Sequence, residues 1–109
     1  MAFDRILAGR IRDVFVREPE VVEKKMFGGV AFLLNGNMLV GVWKDALIVR
    51  LSPVEGKAAL LQPHVREFDI TGRPLKGWIM VEPDGLEEDD ELRCWIQRAI
   101  KFVEMLPGK

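Results

Sequence analysis

Apolar residues recur along the chain with two different periods, and the changes of period divide it into elements. Phe3, Ile6, Leu7, Ile11, Val14 and Phe15 are spaced by threes and fours, which is one face of an amphipathic helix. The pattern stops near Arg17, Pro19 marks a break, and residues 18–24 read as a connector. Three short and almost wholly apolar runs follow, at 26–34, 38–43 and 46–51. The first two are separated by Asn35-Gly36-Asn37, residue types that accept positive φ. The second and third are separated by Lys44-Asp45. Short polar turns between such runs predict an antiparallel meander.

A helical stretch comes next. Ser52 can cap it, Pro53 suits its first turn and Glu55 completes a capping box. The spacing predicts a helix over 53–62, weakened by Gly56 and stopped by Pro63. Residues 66–70 alternate, with Phe68 and Ile70 on one side and Glu67 and Asp69 on the other, as a strand does. Residues 71–74 form a turn and 76–81 a fifth strand. The last element opens in the acidic stretch 87–91 and then places Leu92, Trp95, Ile96, Ala99, Ile100, Val103 and Leu106 at helical spacing. The order α-β-β-β-α-β-β-α predicts one α+β domain over residues 1–109, with a mostly antiparallel five-stranded sheet and flanking helices.

The first three strands are apolar at nearly every position, although a sheet covered on one face needs apolar residues only at alternate positions. Both faces are therefore expected to be buried, the second by the remaining helices or by a second subunit, and a homodimer is expected.

Composition changes this picture mainly by exclusion. The 109 residues carry 16 Lys+Arg and 17 Asp+Glu, a net charge of −1. Nucleic-acid binders usually carry a basic excess, so direct nucleic-acid binding is not expected. The single cysteine, Cys94, permits no intramolecular disulfide. Charges at Asp4, Arg5, Arg10, Arg12 and Asp13 interrupt any signal-peptide core, and no apolar run reaches the ~18 residues of a membrane span. The expected location is the cytoplasm, with no membrane partner.

The reactive residue types offer little candidate chemistry. Gly28-Gly29 lacks the following helix and the Lys-Ser/Thr pair of a phosphate loop, and reads as a structural turn or bulge. His64 is the only histidine and has no second ligand at metal spacing. Cys94 falls inside the last helix as an inert residue, and Ser52 is used as a cap. The acidic run does not follow calcium-loop spacing and suits a helix start. No catalytic residue, cofactor or metal is expected, and the chain is read as a non-enzyme. The expected working part is a surface at the sheet face and edges, with Phe27, Gly28, Arg50, Arg73 and Trp78 as its candidates. Two alternatives stand beside it. One is a weak nucleic-acid site on a basic patch of Lys24, Lys25, Arg50, Arg73 and Lys76. The other is small-ligand binding in an apolar pocket.

The stretches MFGGVAFLLNGNMLVGV (residues 26–42), ALIVRL (46–51) and LRCWIQRAIKFVEMLP (92–107) resemble the N-terminal domain of the TfoX/Sxy family, from about residue 3 to residue 106. Met26-Phe27-Gly28-Gly29 matches that family's opening of its first strand. The segment FDITGRPLKGWIMVEP (68–83) resembles the small stand-alone members, which lack the helical C-terminal domain of the full-length regulators. The resemblance implies a secretion-chaperone-like α+β fold. It also implies a link to transcription, because the family promotes competence-gene expression alongside the cyclic-AMP receptor protein. A transcription-related protein partner is thus expected. The resemblance implies no catalytic residue.

Overall fold

The computed structural model describes residues 4–26, 28–68 and 76–107. Helix α1 (Arg5–Val14) leads into a meander of β1 (Val21–Met26), β2 (Gly29–Leu34), β3 (Asn37–Trp43) and β4 (Ala46–Arg50). Helix α2 (Pro53–Ala59) and strands β5 (Val65–Glu67) and β6 (Trp78–Val81) follow, and α3 (Asp89–Val103) closes the chain. A single 3-10 turn, Pro83–Gly85, precedes α3.

The sheet has six strands in the order β1-β2-β3-β4-β6-β5, and every neighbouring pair is antiparallel. The α+β class holds, with one strand more than expected. That strand is β1, which occupies most of the residues expected to be a connector. Its Glu23, Lys24 and Lys25 hide it from an apolar-pattern reading. They are in place because β1 is an edge, and charged side chains discourage pairing with another chain. The glycine pair consequently lies at a hairpin connection: Met26 faces Gly29 in register, and Gly28 has φ +78°.

Capping fixes the helix starts. The Asp4 carboxylate accepts from the Ile6 and Leu7 amides at 2.9 and 3.1 Å, satisfying donors with no partner inside the helix. Ser52 Oγ accepts from the Glu55 amide at 3.2 Å, as expected. The Glu88 amide donates to Glu91 Oε1 at 3.2 Å, and Asp89, Asp90 and Glu91 fill the first turn of α3, where the macrodipole favours anions. The acidic run is a helix start, as the sequence predicts.

All three helices lie on one face of the sheet, because their buried residues share one core. Leu7 and Ile11 of α1, Phe15 just after it, Ala59 of α2, and Leu92, Trp95, Ile96, Ala99 and Val103 of α3 join Val30, Phe32, Val40, Val42, Leu47, Val49, Ile79 and Val81 of the strands. Phe15 meets Phe32 with ring centroids 5.8 Å apart. Arg10 pins α1 to the start of α3 by donating to the Leu86 carbonyl at 2.7 Å and to Asp89 Oδ1 at 3.1 Å.

Candidate functional site: the second face of the sheet

Strand register assigns each side chain to a face. Val30, Val42, Leu47 and Val81 mark the helix-covered face, and the residues alternating with them mark the other. On that second face lie Val22 and Lys24 of β1, Ala31 and Leu33 of β2, Met38, Gly41 and Trp43 of β3, Ala46, Ile48 and Arg50 of β4, Trp78 and Met80 of β6, and Arg66 of β5. A register shift between Phe32 and Leu33 lets β3 place Met38 on this face and Leu39 in the helix-side core.

The centre of this face forms a second, smaller core. Ala31, Met38, Ala46, Ile48, Phe68 and Met80 cluster there, with Leu33, Trp43 and Trp78 half-buried against them. Ile48 and Met80 are 0% exposed within the single chain. The unbroken apolar strands are thereby explained without a second subunit: large side chains of the chain itself cover the small ones. Phe68 and Trp78 lie with ring centroids 5.6 Å apart. A Cβ added at Gly41 would meet the Met38 methyl at 2.6 Å, so Met38 lies over a position without a side chain.

Cations surround this core. Arg50 and Trp78 are register partners across β4 and β6, and the Arg50 guanidinium lies 5.2 Å from the Trp78 ring and 5.9 Å from the Phe102 ring of α3, so it sits at the end of the sheet and reaches toward the helix-covered side. Lys44 Nζ stands 4.7 Å over the Trp43 ring. Such contacts are worth about 0.5–1 kcal/mol at exposed positions, and they hold the cations flat against aromatic faces. Within the six strands every charged side chain on this face is basic: Lys24, Arg50 and Arg66. The nearest acid in register is Glu82, one residue beyond β6, which approaches Arg66 at 3.9 Å.

The structure therefore brings together Arg50 and Trp78 of the expected surface residues. Gly28 sits apart, exposed in the β1–β2 connection at the sheet edge. Phe27 and Arg73 lie outside the described residues, and so does Ile70. The expected basic patch is redistributed: Lys24 and Arg50 share the second face, whereas Lys25 pairs with Val30 on the other side. Lys76 borders a groove of about 600 Å³ between α2 and β6, lined by Val54, Lys57, Leu60, Lys76, Trp78 and Ile79. Arg66, which the sequence offers with Arg50 as a possible cation of one sheet face, lies on this face. Sequence reading misses Trp43 and Lys44 as its members; the period-2 parity of Trp43 with Gly41 is the available signal.

The remaining reactive residues are scattered. His64 is exposed in the turn before β5 with φ +66°, its carbonyl accepting from the Glu82 amide at 2.8 Å. Cys94 is exposed on α3. Among the described residues no group of three His, Cys, Asp or Glu side chains is placed to hold a metal ion, and no helix is long and apolar enough to cross a membrane.

No curated protein and no solved structure matches the chain. The family model of the TfoX N-terminal domain matches residues 13–103, a span from the end of α1 to the end of α3 that takes in the whole sheet. The chain belongs to the TfoX N-terminal domain family.

Proposed function

We propose that this chain is a small non-catalytic interaction module that works through the second face of its sheet, in the transcription-linked setting that the family resemblance implies. One observation carries the reading. The sheet presents a face covered by none of the described helices, on which half-buried tryptophans are flanked by cations, with Arg50 held against Trp78 at its edge. Aromatic and arginine side chains are the residue types that anchor interfaces. This face concentrates them, while the opposite face is spent on packing the helices.

The homodimer expected from the apolar strands is not what this surface favours. Two copies packed face to face would set Lys24, Arg50 and Arg66 of each against a face without an acid in its strands, and like-charge juxtaposition opposes association. We therefore assign the face to an unlike partner.

Photo-crosslinking in cells tests this reading whatever the partner is. A photoreactive residue in place of Leu33 or Trp43 probes the face, and one in place of Gln97 on α3 serves as control. Adducts from the face positions and none from Gln97 are expected. Adducts from the α3 position alone, or none from either, would reject the face as the working surface.

A further inference from the structure

We infer that the second sheet face is a platform for single-stranded nucleic acid, an inference that rests on this face being the working surface. The argument starts from charge. The protein as a whole is nearly neutral, at −1, yet the strands place their acids on one side: Lys24, Arg50 and Arg66 lie on this face, and Glu23, Glu67 and a single cation, Lys25, on the other. Lys44 adds a fourth cation at the β3–β4 turn. A polyanion is the complementary partner.

Aromatic placement selects among polyanions. Trp43 pairs with Ala46 at one end of β4, and Trp78 pairs with Arg50 at the other end, across the opposite side of β4. Four residues along the strand and two strand spacings put them about 17 Å apart, diagonally over the face. Each ring carries a cation, Lys44 at 4.7 Å and Arg50 at 5.2 Å. Lys44 lies over Trp43, and Arg50 and Phe68 both lie against Trp78, so a base stacking on either ring displaces the cation, which is then free to meet the adjoining phosphate. An acidic peptide needs the cations and has no use for two spaced π faces, whereas successive unpaired bases use both. The face is a strand surface with no helix to enter a duplex groove, so the single-stranded form is the one that fits. Net charge averages over the two faces and hides this segregation.

The test is fluorescence anisotropy with a short labelled oligouridylate or oligothymidylate, run against a duplex of equal length and a polyglutamate peptide. Intrinsic tryptophan emission is recorded alongside, Trp95 being buried under the helices. Binding of the single strands with quenched emission is expected. The log–log salt slope should be about −2, as three phosphate contacts by Lys24, Lys44 and Arg50 require, Arg66 being paired with Glu82. Arg50→Gln and Lys24→Gln, both at positions that are not fully buried, should each lower the slope by about 0.7, and Trp43→Phe should reduce the quenching. Trp78→Ala should weaken binding about tenfold or more, read only where circular dichroism shows a folded variant.

No oligonucleotide binding by the wild type, equal binding of polyglutamate, tighter binding of the duplex, or unchanged affinity in an Arg50→Gln/Lys24→Gln double variant would each overturn the inference. Crosslinks from Leu33 and Trp43 to a protein, together with absent oligonucleotide binding, would overturn this occupant and leave the face as the working surface.

Discussion

Gly56 of α2 lies directly against Gly77, the residue that leads into β6: a Cβ built on Gly56 would fall 2.6 Å from the Gly77 Cα. Helix propensity alone would make Gly56→Ala stabilising by about 1 kcal/mol. The packing reverses the sign, because the obstacle is backbone. Gly77 cannot retreat: its φ is +85°, its own Cβ would run into the Leu51 carbonyl oxygen, and its carbonyl accepts from the Leu51 amide at 2.8 Å. Overpacking of this kind costs about 1–3 kcal/mol. Gly56→Ala should therefore lower the unfolding free energy by a net of up to ~2 kcal/mol, seen as a lower urea midpoint. A raised midpoint would mean that α2 can lift from the sheet without loss.

At the β1–β2 connection the controlling quantity is φ. Gly28 is exposed, has φ +78°, and a Cβ there would meet nothing within 4 Å. Space is free, and only the left-handed backbone penalises a side chain. Asn tolerates that region and a β-branched residue does not. Gly28→Val should cost about 1–2 kcal/mol in thermal or urea unfolding, and Gly28→Asn clearly less. Equal effects of the two would place the constraint in contacts instead of backbone geometry.

How much of this was legible in the sequence follows from which signals are local. Period and capping are local, so α1, α2, α3, β3 and β4 were found to within a few residues. The 26–34 run was read as one strand because a turn glycine between two strands looks, in one dimension, like a glycine within one. β1 was missed because an edge strand bearing Glu23, Lys24 and Lys25 has neither period. The second face could be anticipated from the unbroken apolar runs, but its cover could not. That Met38 would lie over Gly41 depends on the register shift at Phe32/Leu33, and a shift by one residue exchanges faces. Of the expected surface residues, Arg50 and Trp78 meet because β6 inserts between β4 and β5, a crossover that no local pattern encodes.

The Arg12–Glu23 pair ties α1 to the edge strand and should make stability depend on pH. Arg12 Nε and Nη2 donate to the two Glu23 carboxylate oxygens, each at 2.7 Å. This hydrogen bonding, partly opposed by desolvation and helped by the Arg12 charge, holds the Glu23 carboxyl below its ordinary value. A carboxyl depressed in the folded state contributes stability above its unfolded pKa and loses it as pH falls through the folded pKa. Both side chains are substantially exposed, so the coupling is that of a surface pair, about 0.2–1 kcal/mol. A double-mutant cycle with Arg12→Gln and Glu23→Gln should show this coupling at neutral pH and none once Glu23 is protonated. A coupling that persists in acid would assign it to packing.

Asn37 joins the start of β3 to the segment after α3. It is buried, at 3% exposure, and its Nδ2 donates to the Pro107 carbonyl at 2.9 Å. Asn37→Ala removes the donor and leaves a carbonyl short of its partner, a loss of about 1–2 kcal/mol. Because the partner lies near the chain end, proteolysis after α3 should accelerate more than global unfolding does. If the two change in parallel, the bond supports the whole domain equally.

Gly41 is the position where cover of the second face by the chain's own side chains can be tested. A Cβ there would meet the Met38 Cε at 2.6 Å and the Val30 carbonyl oxygen at 2.8 Å. The methionine end is flexible and can move aside, while the strand carbonyl cannot. Gly41→Ala should therefore cost about 1–3 kcal/mol and displace Met38 from above the small residues. Met38→Ala alone should cost about 2–5 kcal/mol, the range for a truncated core methionine. In the double variant the Met38 clash is gone but the Val30 clash remains. Its loss should be smaller than the sum of the two single losses, by the part of the Gly41→Ala penalty that Met38 supplied. Additive losses would mean that Met38 does not rest on Gly41, and that the centre of the face is kept dry by its neighbours Phe68, Trp43 and Trp78.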